Sequence, residues 1–464
     1  MTDESANPSP IGTEATERTV SGGAGRGIIG RLFWGVVTWG WGALLMQGPA
    51  GAILVAGWLQ RFLQRSVYIA WWKRCRGRVG RFEEFVAEEP LLEEFRHAPN
   101  WVLGPNFGSR WASGPREGRF RRRWSLLVGS LGRNVGWGLQ SLTNVWVLTL
   151  PGCVLWAAGW WGGWQNSFHK GYEHFAVGPT VSWLGILVFV MAMFYVPMAT
   201  ARQASTGRWQ AFWEARTIWT LTKASWLPST WVAVLYAGAN VVAMGLKSWP
   251  QFLPQARLAA RGGQGVDPTE AFRRGIENLD GSALTEAQAL QWLNQHFLAS
   301  ALVVFAMLVM LKRAVAWLYS GAVLRAVQSG ALGEEQLADG EWRLLHTLGA
   351  LEVRERPRRA FVIRSVAWAG TKVGRAACGS VSFLAWLVFV GAIYVSEFLS
   401  YHPLVGWLNQ PLVQLPWFRY VPATLEDPSG GLLAAAGLVI LTAAVASHRN
   451  RPRSQGPGPR PASD

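Results

Sequence analysis

Seven stretches of the chain carry no Asp, Glu, Lys or Arg: Leu32 to Gln60, Asn134 to Ser167, Val181 to Ala201, Ala224 to Leu246, Phe297 to Leu311, Ala376 to Ser396 and Leu432 to Ser447. Several reach the roughly 20 apolar residues that a helix needs to cross a hydrocarbon core of about 30 Å. In that core each backbone N–H and C=O must be satisfied within its own segment, so a charge-free run of this length predicts a helix. The pattern predicts an all-α polytopic membrane protein with about seven spans, six to eight being admitted, and short interfacial and loop helices between them.

The polar stretches set the orientation. Lys73-Arg74-Cys75-Arg76-Gly77-Arg78 and Arg119-Phe120-Arg121-Arg122-Arg123 lie in segment 61–133, and Arg354-Glu355-Arg356-Pro357-Arg358-Arg359 lies in 319–375. Basic residues beside spans stay on the cytoplasmic side, which puts both segments inside, together with Arg449, Arg451 and Arg453. The resulting organisation is a disordered tail over 1–30, a first kinked span over 31–60 and the basic segment 61–133. A transmembrane core follows over 134–246 with an interfacial helix at 206–223, then an external helical loop over 247–296 and a span over 297–318. The basic segment 319–375, the last two spans within 376–447 and a disordered tail over 448–464 complete it.

Single crossings place the N-terminus outside. A hairpin at the Gly48-Pro49 break is the alternative and keeps it inside. Gly30-Arg31, Pro49 and Ala56-Gly57-Trp58 recur at identical intervals as Gly132-Arg133, Pro151 and Ala158-Gly159-Trp160. Read as a repeat of one kinked element in opposite orientations, this favours single crossings.

Composition sharpens the picture. Charged residues are 16% of the 464, and many of the 29 tryptophans sit at the ends of the apolar runs. Trp58, Trp71, Trp72, Trp124, Trp160, Trp161, Trp164, Trp226, Trp249, Trp317 and Trp407 are placed as an interfacial belt would be. The net charge of +16 is carried mainly next to spans, which points to anionic lipid headgroups as partner, with nucleic acid not expected. Trp58, Phe62, Val67, Tyr68 and Trp71, interleaved with Arg61, Gln64 and Arg65, predict an amphipathic helix lying on those headgroups. Asp3, Glu4, Glu14 and Glu17 replace the basic start of a signal peptide. Asp267-Pro268-Thr269-Glu270 and the capping box Thr285-Glu286-Ala287-Gln288 predict two external helices, the second running into the span at Phe297.

Candidate chemistry is sparse. Cys75, Cys153 and Cys378 form no disulfide or zinc pattern. His169 and His174 flank Glu173, but their five-residue interval puts the imidazoles on different sides of a helix. No catalytic residue, metal ligand or cofactor is read. Asn134, Gln140, Asn144 and Asn240 are the polar residues within the spans, and helix-to-helix hydrogen bonding accounts for them. The pairs Ala233 and Ala237, and Gly431 and Ala435, predict close helix packing.

The candidate binding residues are Lys170, Tyr172 and Glu173 outside, and Arg202, Gln203, Arg208 and Arg216 inside. On the inner helix Arg208 and Arg216 would pair with phosphate or carboxylate, from lipid or from a membrane-protein partner. The role expected is structural or binding. A permease would need a water-lined cavity at Pro49 and Pro151; a membrane enzyme would need a buried polar constellation near Glu173 or Arg202.

Two stretches resemble a family of uncharacterised bacterial multi-pass membrane proteins, a domain of unknown function. They are Asn166-Ser-Phe-His-Lys-Gly-Tyr-Glu173 and Phe194-Tyr-Val-Pro-Met-Ala-Thr-Ala-Arg-Gln-Ala-Ser-Thr-Gly-Arg-Trp-Gln-Ala-Phe-Trp-Glu-Ala-Arg216, with Gly57 to Arg65 as a weaker echo. The resemblance implies the bacterial cytoplasmic membrane and brings no reaction, cofactor or active site.

Overall fold

The computed structural model describes residues 28–75, 82–88, 92, 95, 98–99, 101, 111, 119–160, 177–249, 286–351, 361–400 and 407–418. Among these residues the protein is all-helical, without strands. The helices are α1 (Ile28–Leu45), α2 (Pro49–Cys75), α3 (Phe82–Glu88), α4 (Arg119–Gly159) and α5 (Val177–Thr206). After a 3-10 turn at Trp209–Trp213 come α6 (Ala215–Ala224), α7 (Trp226–Ser248) and α8 (Glu286–Gln328), then a second 3-10 turn at Glu334–Gln336, α9 (Asp339–Thr347) and α10 (Phe361–Ser400). Within α4, α5, α7, α8 and α10 lie the 5 segments long and apolar enough to cross a membrane.

Hydrogen bonds between helices set their directions. Residues of α2 climb together with those of α8: Gln47, just before α2, donates to Phe297 O at 3.4 Å and Trp71 Nε1 donates to Ser320 O at 3.1 Å. They also climb with those of α5, Gln60 donating to Thr200 O and Tyr68 to Ser205 O. In α7 and α10 the order is again parallel, with Thr230 beside Ser382, Asn240 donating to Phe389 O and Lys247 beside Glu397. Helix α8 opposes α7, since Arg325 meets Ala224 and His296 meets Leu246. Cys75, Thr206, Trp226 and Gln328 therefore share one end of the bundle, the basic end.

The Gly48-Pro49 break is a reversal. An unbroken helix at 1.5 Å per residue would hold Gly42 and Trp58 about 24 Å apart. Both meet Phe305: a Cβ on Gly42 would sit 2.6 Å from its ring, and the Trp58 ring is 5.7 Å from it. Helix α1 thus folds back on α2, with Pro49 at the first position of α2, where its missing N–H leaves nothing unpaired. Pro151 lies inside the unbroken α4 and is exposed. The two segments are not one repeated kinked element.

Glycines permit the closest crossings. Gly57 of α2 and Gly138 of α4 face each other's backbones, so that a Cβ on either would strike the Asn134 or the Ile53 carbonyl oxygen. Gly152 and Gly185 do the same where α4 crosses α5. Small residues at a crossing let helix backbones approach, which is how spans gain packing where lipid supplies no hydrophobic drive. Ala233 and Ala237 are buried as expected; Gly431 and Ala435 lie outside the described residues.

The amphipathic surface helix expected near Arg61 is instead the continuation of α2. Trp58, Val67, Tyr68, Trp71 and Trp72 are buried in the core. Of the expected belt, Trp124, Trp249 and Trp317 are exposed, whereas Trp58, Trp71, Trp72 and Trp160 are core residues. The acidic α3 docks on this helix, Glu83 pairing with Arg65 at 3.0 Å. The capping-box helix is the start of α8 and runs unbroken through Phe297; 267–270 lies outside the described residues.

Candidate functional site

At the basic end α5 leaves the apolar zone with Arg202, and the side chain turns inward. Its relative exposure is 1%, and that of Glu341 and Tyr319 is 0%. All three guanidinium nitrogens are engaged: Nε donates to Glu214 Oε2 at 2.9 Å, Nη1 to Glu341 Oε2 at 2.5 Å and to Tyr319 OH at 3.4 Å, and Nη2 to Gln336 O at 2.5 Å. Glu341 is equally occupied. Its Oε1 accepts from Ser205 Oγ at 2.5 Å and Tyr319 OH at 2.8 Å, and its Oε2 accepts from Ala338 N–H at 3.1 Å as well as from Arg202.

The partners arrive on several elements. Ser205 and Arg202 lie near the end of α5, one turn apart in neighbouring registers, and Tyr319 lies on α8. Glu341 is at the third position of α9, where a carboxylate reaches back to the first free N–H and satisfies it. A buried charge without a partner is held at a penalty of several kcal/mol, so the burial of Arg202 depends on Glu341 being brought over it. The arrangement is a clamp that closes the loop after α8 onto the bundle. Arg202, Glu341, Tyr319 and Ser205 are buried and hydrogen-bonded to one another, and Glu214 carries the cluster towards the surface.

The candidate residues at the basic end separate into different roles. Gln203, buried, accepts from Asn144 Nδ2 at 3.1 Å, and Asn144 also ties Trp209 O and Trp213 Nε1. Arg208 is exposed and pairs with Glu214 at 2.7 Å, extending the Arg202 cluster to the surface. Arg216 is exposed on α6, in line with exposed Trp219 and Lys223, while Ile218 and Leu221 of the same helix are buried. Nearby, the Arg74 guanidinium lies 4.1 Å over the exposed Trp317 ring. Lys170, Tyr172 and Glu173, and both histidines 169 and 174, lie outside the described residues.

Glu341, Tyr319, Glu214 and Ser205 were not singled out by the sequence. The one signal was an acidic residue at the third position of a short loop helix, Asp339-Gly340-Glu341, which ordinarily marks an exposed cap. The apolar zone also holds a charge pair that the runs conceal, since Lys247 and Glu397 bound theirs and meet at 3.5 Å between α7 and α10. Asn134, Asn144 and Asn240 bridge elements as expected: Asn134 Nδ2 donates to Trp101 O, and Asn240 Nδ2 to Phe389 O at 2.8 Å. Among the described residues no group of three or more His, Cys, Asp or Glu could hold a metal. One cavity of about 20 Å³, between Phe194, Met198, Val232, Leu318 and Trp386, has room for a single water.

Fold and site together define an all-helical protein with helices able to cross a membrane and a closed ionic clamp at its basic end. No protein-family model, curated protein or solved structure matches the chain.

Proposed function

We propose that the chain is a structural or binding component of a bacterial cytoplasmic membrane, held with its basic end on the inner, anionic leaflet. The observation that carries this is the closed cluster around Arg202, which is built to fix an inner loop against the bundle rather than to turn over a substrate. The exposed row Arg216, Trp219 and Lys223 on α6 supports the lipid side of the reading, as does Arg74 over Trp317. A ring at headgroup depth beside a cation, above a buried apolar face, suits a helix resting on phosphate. The same row would serve an acidic membrane-protein partner.

In this reading α1 and α2 both cross, and the run 432–447, outside the described residues, is taken from its length as the last crossing, so that both termini face inward. That gives about eight crossings, at the upper end of what run lengths admit. Impermeant labelling of intact cells checks it, using single cysteines at Ser21, Pro115 and Lys170 in a chain cleared of its own three. Only the cysteine at 170 should react. Reaction at 21 would restore a single crossing over 31–60.

Anionic lipid co-purification tests the function. Arg216→Gln with Lys223→Gln should lower bound anionic lipid several-fold while insertion stays unchanged, because each cation at such a surface is worth about 1 kcal/mol. An unaltered lipid profile together with loss of a co-purifying protein would move the role from lipid to partner.

A further inference from the structure

The segment Trp407–Phe418 enters the bundle at the end opposite the basic one and docks at the tip of the α1–α2 hairpin. Its backbone closes into a compact turn, with Leu415 N–H donating to Leu408 O at 3.3 Å and Gln414 N–H to Gln410 O at 2.9 Å. Phe418 N–H donates to Met46 O at 2.8 Å and Trp417 Nε1 to Gln47 O at 3.2 Å. On α4, Thr149 Oγ1 accepts from Trp407 Nε1 at 3.0 Å and from Gln414 Nε2 at 2.9 Å, and donates to Val145 O at 2.8 Å. Leu415 and Trp417 pack on Ala52, Ala56 and Leu142, beside Trp146.

Thr149 is saturated by these bonds, yet other polar atoms of the turn and of the preceding turn of α4 are not. Asn409 Oδ1 and Nδ2, Gln414 Oε1 and Trp146 Nε1 are buried without a protein partner. The relative exposure of Asn409 is 1% and that of Gln414 is 4%. Trp146 stands one turn before Thr149 on α4, and Asn409 and Gln414 belong to the same closed turn. A buried amide with both ends unmet is a heavy penalty, and a leucine of similar size would avoid it. Asn409 by itself presents an unmet acceptor and an unmet donor, complementary to a molecule that offers both, while Gln414 on the same turn adds an acceptor and Trp146 on α4 a donor. None of the docking residues named is charged, so nothing there would balance an ion.

We propose that the turn 408–415 and the Trp146–Thr149 face of α4 form a binding site for a small neutral molecule that both donates and accepts hydrogen bonds. Water and a small amide or polyol share this chemistry. The site is independent of the clamp at the basic end and of the lipid-facing role proposed above.

The test is an electron-microscopy map of the full chain in lipid nanodiscs, at a resolution that shows ordered water, recorded in plain buffer and again with acetamide or glycerol. Density about 3 Å from the Asn409 amide is expected. A single peak that is the same in every buffer assigns the site to water, and a peak that grows in acetamide or glycerol assigns it to the solute. Absence of density in all buffers overturns the proposal. As an independent measure, Asn409→Leu should melt a few degrees below the wild type and lose any stabilisation by the solute. An Asn409→Leu chain melting at or above the wild type in every solute also overturns it, since an amide with nothing bound gains by becoming apolar.

Discussion

Glu341→Ala should destabilise the folded chain by about 3–5 kcal/mol, the range found when one partner of a buried ion pair is removed. The size follows from what is left behind. Arg202, at 1% exposure, would keep its charge in the interior with only the half-buried Glu214 to balance it. The Tyr319 hydroxyl and the Ala338 N–H would each lose their acceptor as well, and the Ser205 hydroxyl would lose the shortest of its three. Limited proteolysis of residues 329–351, followed alongside thermal melting in detergent, checks the expectation: the loop should become cleavable before the bundle melts. The double variant Arg202→Met, Glu341→Leu should lose much less than Glu341→Ala, because it leaves no stranded charge. A single variant as mild as the double would mean that the clamp does not hold the loop.

Gly138→Leu should prevent the bundle from assembling, at a penalty above about 3 kcal/mol, beyond the usual range for an overpacked core. Even a Cβ at this position would run into the Ile53 carbonyl oxygen, and one at Gly57 into that of Asn134. The atoms struck are backbone, so no rotamer change relieves the contact, and α2 would have to part from α4 along the whole crossing. Gly136→Leu is the matched control, two positions away with open space around it. Replacing a partly buried helical glycine with open space around its Cβ by a better helix former should leave stability unchanged or raise it slightly. Size-exclusion profile and melting temperature of the two variants check this; equal behaviour would remove the close crossing as a cause of assembly.

The cluster at Arg202 answers the question of what such a constellation does when it is enclosed. A catalytic arrangement keeps at least one polar group directed at a space that a substrate can enter. Here Arg202, Glu341, Tyr319 and Ser205 direct theirs at one another. Arg208 and Glu214 then carry the pair chain outward to solvent, which explains why neighbouring arginines of one sequence motif have opposite exposures.

The sequence by itself determined the helical class, the approximate helix positions and the basic end, because each depends on local composition. A charge-free run of bilayer length has no other way to satisfy its backbone, and arginine clusters beside it orient it without reference to the fold. The amides of Asn134, Asn144 and Asn240 were likewise readable as bridges, since an apolar surrounding demands a partner for them. Tertiary structure alone decided the partners. Glu341 is 139 residues from Arg202, and nothing in its neighbourhood distinguishes a buried carboxylate from an exposed cap. Tryptophans at run ends satisfy two physical roles equally, headgroup anchor and core filler, so the burial of Trp58, Trp71 and Trp72 depended on which face α8 covers. The break at Gly48-Pro49 is compatible with a kink or a reversal by local geometry, and contact of both α1 and α2 with Phe305 selects the reversal. The dock of 407–418 likewise exists only where that reversal leaves room beside α4.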